Sequence, residues 1–152
     1  MNEIFNQIFK QLSQLNVDTP VSDEMRESYQ EDFKHLELKD EWDILVLGTT
    51  DWELYFLEQK FPNVKFIGIT IEEKFQTKKN ISLQDMHEIE FQDKSFDFVY
   101  GSQILEHSPA PVIVLAQVNR LLRNNGQFFF WIPDDEENRK SWYHFSCFPK
   151  LL

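Results

Sequence analysis

Asp43-Ile-Leu-Val-Leu-Gly48 is a continuous apolar run that begins at an acid and ends at a glycine. Such a run is typical of a β-strand buried on both faces, whereas a strand with one solvated face alternates apolar and polar residues. Strands of this kind belong to parallel sheets that carry helices on both faces. The segment therefore predicts a buried strand of an α/β domain.

Strand and helix patterns alternate along the rest of the chain. Four more segments are predicted as strands, at residues 64–69, 81–83, 95–101 and 127–132. Helices are predicted between them: one from Asp51 to Pro62, a short charged one over 72–79, and one over 108–126. This alternation predicts parallel pairing with right-handed crossovers. We expect a Rossmann-like open, mainly parallel sheet of about five strands in the order 3-2-1-4-5, with flanking helices.

The ends of the helix after the fourth strand are predicted from three residues. Ser108 is expected to be its N-cap and Pro109 its first residue, where the missing N–H of proline is not needed. Gly126 is expected in the left-handed conformation that often ends a helix.

Two helices are predicted before the first strand. Residues 3–16 carry apolar side chains at helical spacing, and a second helix follows Ser22, whose side chain suits an N-cap. We expect residues 1–40 to form an N-terminal helical cap and residues 41–152 to form the α/β core.

The composition limits the class of protein. The chain has 152 residues, the size of one domain, and 41% of them are hydrophobic, which excludes a disordered chain. With 15 basic and 26 acidic residues the net charge is −11, which argues against a nucleic-acid partner because that binding needs Lys and Arg. No apolar stretch approaches the ~18 residues of a membrane span, and the single cysteine cannot form an internal disulfide. We expect a cytoplasmic protein with no membrane partner.

The fold predicts where a ligand binds, because ligands of open parallel sheets lie beyond the carboxyl ends of the strands. The residues at those ends are 48–51, 70–73, 85–87 and 102–107. Acids and hydroxyls dominate this set, which contains no lysine or arginine. The glycine-rich loops that bind polyphosphates and nicotinamide dinucleotides are absent from the sequence. The site therefore favours a ligand with hydroxyls and positive charge over a nicotinamide dinucleotide.

Three motifs resemble the core of the class I S-adenosylmethionine-dependent methyltransferases, in the small-molecule branch that includes ubiquinone-type and sugar-modifying enzymes. Residues 85–97, Asp-Met-His-Glu-Ile-Glu-Phe-Gln-Asp-Lys-Ser-Phe-Asp, resemble the family's D-A-x-x-L-P-F-x-D-x-S-F-D segment. Residues 103–107, Gln-Ile-Leu-Glu-His, resemble x-x-L-E-H, and residues 119–126, Asn-Arg-Leu-Leu-Arg-Asn-Asn-Gly, resemble x-R-V-L-K-P-G-G. The three motifs stand in the family's order and spacing, within a resemblance that covers residues 43–133.

The resemblance implies S-adenosylmethionine as cofactor, a small-molecule acceptor and no metal. Asp85 would accept a hydrogen bond from the adenine amino group, Met86 would line the ring, and Gly48 would let the backbone approach the methionine part. His107 or Glu106 would act as the general base where the acceptor is a hydroxyl or an amine. The other residues expected around the cofactor are Thr49, Thr50, Thr70, Glu72 and Ser102.

The chain departs from the family at two cofactor contacts. Where the family has further glycines after strand one, this sequence has Thr50 and Trp52. The acid that usually ends strand two aligns with Thr70, so Glu72 could substitute only if the loop curls back. The loop after strand one also fits a simple helix N-cap. Two hypotheses stay open: a working methyltransferase, and a degenerate methyltransferase-fold module that serves binding or assembly.

The family's sheet has seven strands, whereas only 19 residues follow Pro133 here. We therefore expect a domain that is truncated before strands six and seven. Strand five would then present an unpaired edge, and such edges template association. The prediction is that a second copy or a partner chain covers this edge, or that the chain is a truncated product.

Overall fold

The computed structural model describes residues 27, 29, 31, 33–75 and 80–133. The chain divides into two compact units, with the boundary between His35 and Leu36. In the first unit, the described residues from Glu27 to Lys34 are helical. The predicted helix over 3–16 and the end of the chain after Pro133 lie outside the described residues. The predicted division into residues 1–40 and 41–152, and the truncation before strands six and seven, therefore stay predictions.

A five-stranded parallel sheet forms the second unit, and its strand order is β3-β2-β1-β4-β5. The strands are β1 (Asp43–Leu47), β2 (Lys65–Thr70), β3 (Ile81–Leu83), β4 (Phe96–Ser102) and β5 (Leu122–Trp131). The predicted fold class and strand order are confirmed. The predicted strand positions differ from the observed ones by one residue at most, except for the early start of β5.

Strand β1 lies in the middle of the sheet and is buried on both faces. Its residues 44–47 have no solvent exposure, as the continuous apolar run predicts. On one side Leu47 is in register with Ile69 of β2, and on the other Val46 is in register with Tyr100 of β4. All five strands run in one direction, so their carboxyl ends meet at one edge of the sheet.

Helices and short 3₁₀ turns connect the strands. The helices are α1 (Asp51–Lys60) and α2 (Pro111–Leu121), and the 3₁₀ turns are Glu73–Phe75 and Leu105–His107. Helix α2 turns Val114, Val118 and Leu121 toward the core, where they meet residues of β1 and β4. No helix in the described part of the chain is long and apolar enough to span a membrane.

The prediction that Ser108 and Pro109 begin a helix is wrong. Helix α2 starts at Pro111, which takes the first helical position, and Ala110 is its N-cap. The backbone of Ala110 is not helical (φ −140°, ψ 63°), because a residue that precedes proline is excluded from the helical region. The hydroxyl of Ser108 instead accepts a hydrogen bond from the Ala110 N–H at 3.0 Å. The second proline, rather than the first, therefore begins the helix.

The prediction that Gly126 ends this helix in a left-handed conformation is also wrong. Strand β5 begins directly after α2, and Asn125 is the left-handed residue (φ 66°). The register changes there, since Phe96 pairs with Leu122 whereas Phe98 pairs with Gln127. Gly126 is required by close packing, because a Cβ at this position would lie 3.0 Å from the Arg123 carbonyl oxygen. Residues 123–126 therefore form an irregular turn within β5.

Arg123 connects this irregular turn to the amino-terminal edge of the sheet. Its guanidinium donates hydrogen bonds to Asp43 of β1, at 2.8 Å, and to Asp97 of β4, at 2.5 Å. The Asp97 carboxylate also accepts from the Asp43 N–H at 2.9 Å. The bond to Asp43 and the two neighbouring carboxylates raise the pKa of Arg123. One cation therefore joins three strands at the edge opposite the predicted ligand site.

Candidate functional site

A cavity of about 740 Å³ opens at the carboxyl edge of the sheet. Its volume lies within the range of small-molecule and cofactor sites, roughly 300–1,000 Å³. The residues that line it are Gly48, Thr70, Ile71, Glu72, Asp85, Met86, His87, Gln103, Ile104, His107, Pro109 and Ile113. The loops after β1, β2, β3 and β4 all contribute, because parallel strands bring their carboxyl ends together.

The cavity brings together part of the predicted set. The predicted residues that line it are Gly48, Thr70, Glu72, Asp85, Met86 and His107. The predicted residues that do not line it are Thr49, Thr50, Ser102 and Glu106. Ile71, His87, Gln103 and Ile104 also line it; they lie in the predicted loops but were given no role, whereas Pro109 and Ile113 lie outside those loops and were missed. Most of these directly flank predicted residues in the sequence, and Ile113 is placed there by the first turn of α2.

The hydroxyls after β1 are used by the local backbone. Thr50 is the N-cap of α1, and its hydroxyl accepts a hydrogen bond from the Glu53 N–H at 3.2 Å. Thr49 is fully buried, and its hydroxyl donates to the Thr50 carbonyl at 3.1 Å. The simple N-cap interpretation of this loop accounts for the Thr50 hydroxyl, and the Thr49 hydroxyl is used by a local backbone carbonyl.

Gly48 is left-handed (φ 62°), and the side chain of Ile104 covers its Cα. A Cβ added at Gly48 would lie 2.3 Å from Ile104 Cδ1. The glycine is therefore required for packing between the loops after β1 and β4. A ligand that approached the Gly48 backbone would have to displace the Ile104 side chain.

The loop after β2 is held by its own hydrogen bonds. The Thr70 hydroxyl accepts from the Glu72 N–H at 3.3 Å. The Glu72 carboxylate lies at the cavity and forms an ion pair with Lys74, whose side chain is exposed. Glu72 therefore lies at the cavity wall, and its role there stays a prediction.

A chain of hydrogen bonds joins Asp85, His87 and Ser108. The Asp85 Oδ1 atom accepts from the His87 N–H at 2.8 Å and lies 2.6 Å from His87 Nδ1. The other ring nitrogen, Nε2, lies 2.7 Å from the hydroxyl of the buried Ser108. The backbone and side-chain bonds from His87 lower the pKa of Asp85, so its carboxylate is ionised at neutral pH. In the described part of the chain, the second oxygen of Asp85 has no hydrogen bond.

The segment after β4 carries a strained residue and a buried acid. Gln103 is left-handed (φ 49°), and its N–H donates to the Trp131 carbonyl at 2.8 Å, which fixes it to β5. Glu106 is fully buried, and neither carboxyl oxygen has a hydrogen-bond partner among the described residues. Burial raises the pKa of Glu106. His107 faces the cavity, so the two predicted general bases lie in different environments.

Carboxylates are the charged groups among the described residues that line the cavity. Glu72 and Asp85 contribute them, His87 and His107 contribute imidazoles, and no lysine or arginine is among these lining residues. Lys74, behind the wall, pairs with Glu72 and, in the described part of the chain, leaves Asp85 as the carboxylate without a cationic side chain of Lys or Arg beside it. Among the described residues, no group of three His, Cys, Asp or Glu side chains could hold a metal ion. The wall is suited to hydrogen-bond donors and to positively charged groups of a ligand.

The packing of Gly48 against Ile104 predicts a destabilised Gly48→Ala variant. A residue with a Cβ in the left-handed conformation costs about 1–3 kcal/mol, and the contact with Ile104 adds to this loss. In a double-mutant cycle followed by urea denaturation, Ile104→Ala should cost less in the Gly48→Ala background than in the wild type. If the two substitutions lowered the free energy of unfolding in a strictly additive way, the contact between residues 48 and 104 would be contradicted.

The buried carboxyl of Glu106 predicts a pH-dependent effect of Glu106→Gln. A carboxyl whose pKa is raised on folding contributes most stability below its ordinary pKa, and the contribution falls as the pH rises toward the raised value. The free energy of unfolding of Glu106→Gln, relative to that of the wild type, should therefore increase as the pH rises above the ordinary carboxyl pKa of 4.5, as measured by urea denaturation. Glu88→Gln, at an exposed position, is the control. An effect of Glu106→Gln that did not change with pH would contradict the burial of the charge.

Comparison with known proteins identifies the family. A family model described as a methyltransferase domain matches residues 48–130. The match begins at the glycine after β1 and ends in β5, so it includes all the loops that line the cavity. No curated protein matches the chain.

Solved structures share the fold at low sequence identity. In the complex between the Haloferax volcanii Trm112 methyltransferase activator and a methyltransferase, the match has 18% identity and a TM-score of 0.64, covering 74% of this chain and 54% of that one. A protein of Listeria monocytogenes assigned as an S-adenosylmethionine-dependent methyltransferase matches at 19% identity and TM-score 0.62, over 76% of this chain and 60% of that one. Coclaurine N-methyltransferase, bound to N-methylheliamine and S-adenosylhomocysteine, matches at 16% identity and TM-score 0.58, over 68% of this chain and 33% of that one.

These likenesses establish the fold alone, and the chain spans between a third and three fifths of the length of the three proteins. The family model, by contrast, matches more than half of the chain. With its five parallel strands and the cavity at their carboxyl ends, the chain belongs to the methyltransferase domain family and has the fold of the class I S-adenosylmethionine-dependent methyltransferases.

Proposed function

We propose that the chain binds S-adenosylmethionine in the cavity at the carboxyl edge of the sheet and transfers a methyl group to a small-molecule acceptor. The observation that carries the proposal is the Asp85 carboxylate after β3. His87 bonds one of its oxygens, whereas the other has no hydrogen bond within the part of the chain that the structure describes, and no lysine or arginine is among the described residues that line the cavity.

The described residues fit the adenine end of the cofactor. An ionised carboxylate only accepts hydrogen bonds, so Asp85 suits an exocyclic amino group, which only donates. Met86 adds a polarisable apolar surface beside it, suited to the face of an aromatic ring. Glu72 and the carbonyls of the neighbouring loop would accept from hydroxyls of the ribose. An anionic wall also tolerates the positive charge of a sulfonium.

The acceptor would lie on the side of the cavity formed by the loop after β4. The cofactor supplies a methyl carbon activated by the sulfonium, and the protein has to align the acceptor atom with it. His107 faces the cavity and would take the proton of a hydroxyl or amine acceptor. The oxygens of Glu106 are buried, so Glu106 would act as a base only if the turn at Leu105–His107 opened.

The alternative is a methyltransferase-fold module that no longer turns over. Two observations favour it: the Thr50 hydroxyl is used as a helix cap, and Ile104 fills the space over Gly48. Both lie at the methionine end of the expected cofactor position. A protein of this kind would keep the methyltransferase fold but would have lost its affinity for S-adenosylmethionine.

Calorimetric titration with S-adenosylhomocysteine separates the two hypotheses. We expect micromolar binding by the wild-type chain, because Asp85 and Met86 both line the cavity, and we expect Asp85→Ala to abolish it. The control is Asp40→Ala, which should bind the ligand as the wild type does. Asp40 is an exposed carboxylate that accepts a hydrogen bond from Asn63, and neither residue lines the cavity. No heat at millimolar ligand would contradict the enzyme hypothesis and support the degenerate module.

We also propose that another chain, a second copy or a different protein, covers the free edge of β5. In the described part of the chain β5 pairs only with β4, and Phe128 and Ile132 remain 55% and 38% exposed. An apolar strand with an unpaired edge templates association. The methyltransferase partner of the Haloferax Trm112 activator gives a precedent for a chain of this fold in a complex.

Light scattering of the purified chain tests the covered edge. We expect a mass above the 18.3 kDa of one chain, rising with protein concentration, and a lower mass for Phe128→Glu because a charge at the edge opposes pairing. Lys65→Glu, at an exposed position of β2, is the control for added negative charge. A clean, stable monomer of the wild type at every concentration would count against a covering chain.

A further inference from the structure

We propose that His87 and Ser108 are positioning residues that orient Asp85 for recognition of a 6-amino purine. The inference rests on the proposed function, since Asp85 is taken to receive the adenine of the cofactor. It adds two residues that the family motif does not specify, because the motif position of His87 is variable and Ser108 lies outside the three motifs.

The hydrogen bonds that join Ala110, Ser108, His87 and Asp85 all donate toward Asp85. An ionised Asp85 can only accept, so the His87 N–H and Nδ1–H both donate to its Oδ1 atom, at 2.8 and 2.6 Å. In the neutral ring the Nε2 atom is then an acceptor, and it takes the Ser108 hydroxyl hydrogen at 2.7 Å. The Ala110 N–H in turn donates to the Ser108 oxygen at 3.0 Å. The backbone before α2 is thus connected to the carboxylate after β3.

The two bonds to one oxygen restrict the rotation of the carboxylate. They leave Oδ2 as the atom available to a ligand, and they determine its direction. A single bond from the His87 backbone would leave the plane of the carboxylate free to rotate. The side-chain bond also lowers the pKa of Asp85, which keeps both oxygens as acceptors.

The loop that carries Asp85 has no regular secondary structure between β3 and β4, and α2 holds it at two points. His87 reaches Ser108 just before α2. Arg120, near the end of α2, donates to the carbonyls of Ile89 and Phe91 at 2.6 and 2.8 Å. The loop that carries Asp85 is therefore fixed by Ser108, in the segment before α2, and by Arg120 of α2 itself.

A nucleophilic role for these three residues is excluded by burial. A serine, histidine and aspartate joined by hydrogen bonds also form the triad of many hydrolases. In those enzymes the serine oxygen must reach the substrate, whereas Ser108 has no solvent exposure and does not line the cavity. The chain of bonds orients Asp85 and performs no covalent step.

The consequence is selectivity for the group at position 6 of the purine. An amino group donates to the oriented carboxylate, whereas an oxo group presents a second acceptor and is repelled. A site built to accept a hydrogen bond rejects an analogue that lacks the donor much more strongly than an apolar pocket would.

The test is calorimetric titration with two ligands, S-adenosylhomocysteine and S-inosylhomocysteine. The second carries an oxo group in place of the 6-amino group and, with it, an N–H at N1 in place of an acceptor. The wild type should prefer the amino ligand, and His87→Ala should reduce the ratio of the two affinities about tenfold, as expected for a lost charge-assisted hydrogen bond. His87→Asn, which keeps a donor near the Nδ1 position, should restore part of the ratio. Ser108→Ala should reduce it less than His87→Ala, because the ring keeps its bond to Asp85.

A merely structural role would lower both affinities together and leave their ratio unchanged. If His87→Ala left the ratio of the two affinities unchanged and Asp85→Asn abolished the preference for the amino ligand, the role of His87 would be overturned. The proposed function would remain intact. Binding of both ligands by the wild type with equal affinity would likewise overturn the inference alone. Failure of the wild type to bind S-adenosylhomocysteine would overturn the proposed function and the inference with it.

Discussion

Parallel pairing of β1 with β2 on one side and β4 on the other determines where the cavity residues of the loops after β1, β2 and β4 lie. The residues of β1 from Ile44 to Leu47 are fully buried, and each large apolar side chain buried in this way contributes roughly 1.5–3 kcal/mol. The register then places Gly48, Thr70 and Ser102 near one level at the carboxyl edge. At the opposite edge, Arg123 joins β1, β4 and β5 through Asp43 and Asp97.

The two ends of the cavity differ in how they are built. Around Asp85 the hydrogen bonds converge on one carboxylate oxygen and leave the other available to a ligand. Around Gly48 the space is filled by Ile104, and the nearest hydroxyl, that of Thr50, caps a helix. Affinity for a whole cofactor then depends on whether Ile104 moves.

The fold was predictable because its signals are local. The apolar runs that end at Gly48 and Gly101 identify β1 and β4, and the alternation of strands and helices predicts their parallel pairing. Errors arose where two local signals competed. Both Pro109 and Pro111 could begin a helix, and Pro111 does so because it disfavours a helical conformation at Ala110. Similarly, Asn125 and Gly126 could both adopt the left-handed conformation, and the structure has Asn125 in it.

The site was predictable only as a set of loops. Glu106 and His107 are neighbours in the sequence, and a single 3₁₀ turn buries one and directs the other to the cavity. The bond from His87 to Ser108 joins residues of two loops, and no spacing rule brings them together. Contacts of this kind depend on tertiary packing. The loops around the cavity could therefore be predicted from the sequence, whereas the burial and hydrogen bonds of their side chains could not.

The central claim is that this edge of the sheet is a cofactor site centred on Asp85. Amide ¹H–¹⁵N spectra of the chain, recorded during titration with S-adenosylhomocysteine, test it most directly. The account predicts saturable shifts concentrated at residues 70–72, 85–87 and 103–107, with smaller changes elsewhere in the sheet. Shifts that cluster outside these loops, or no shifts at all, would contradict it.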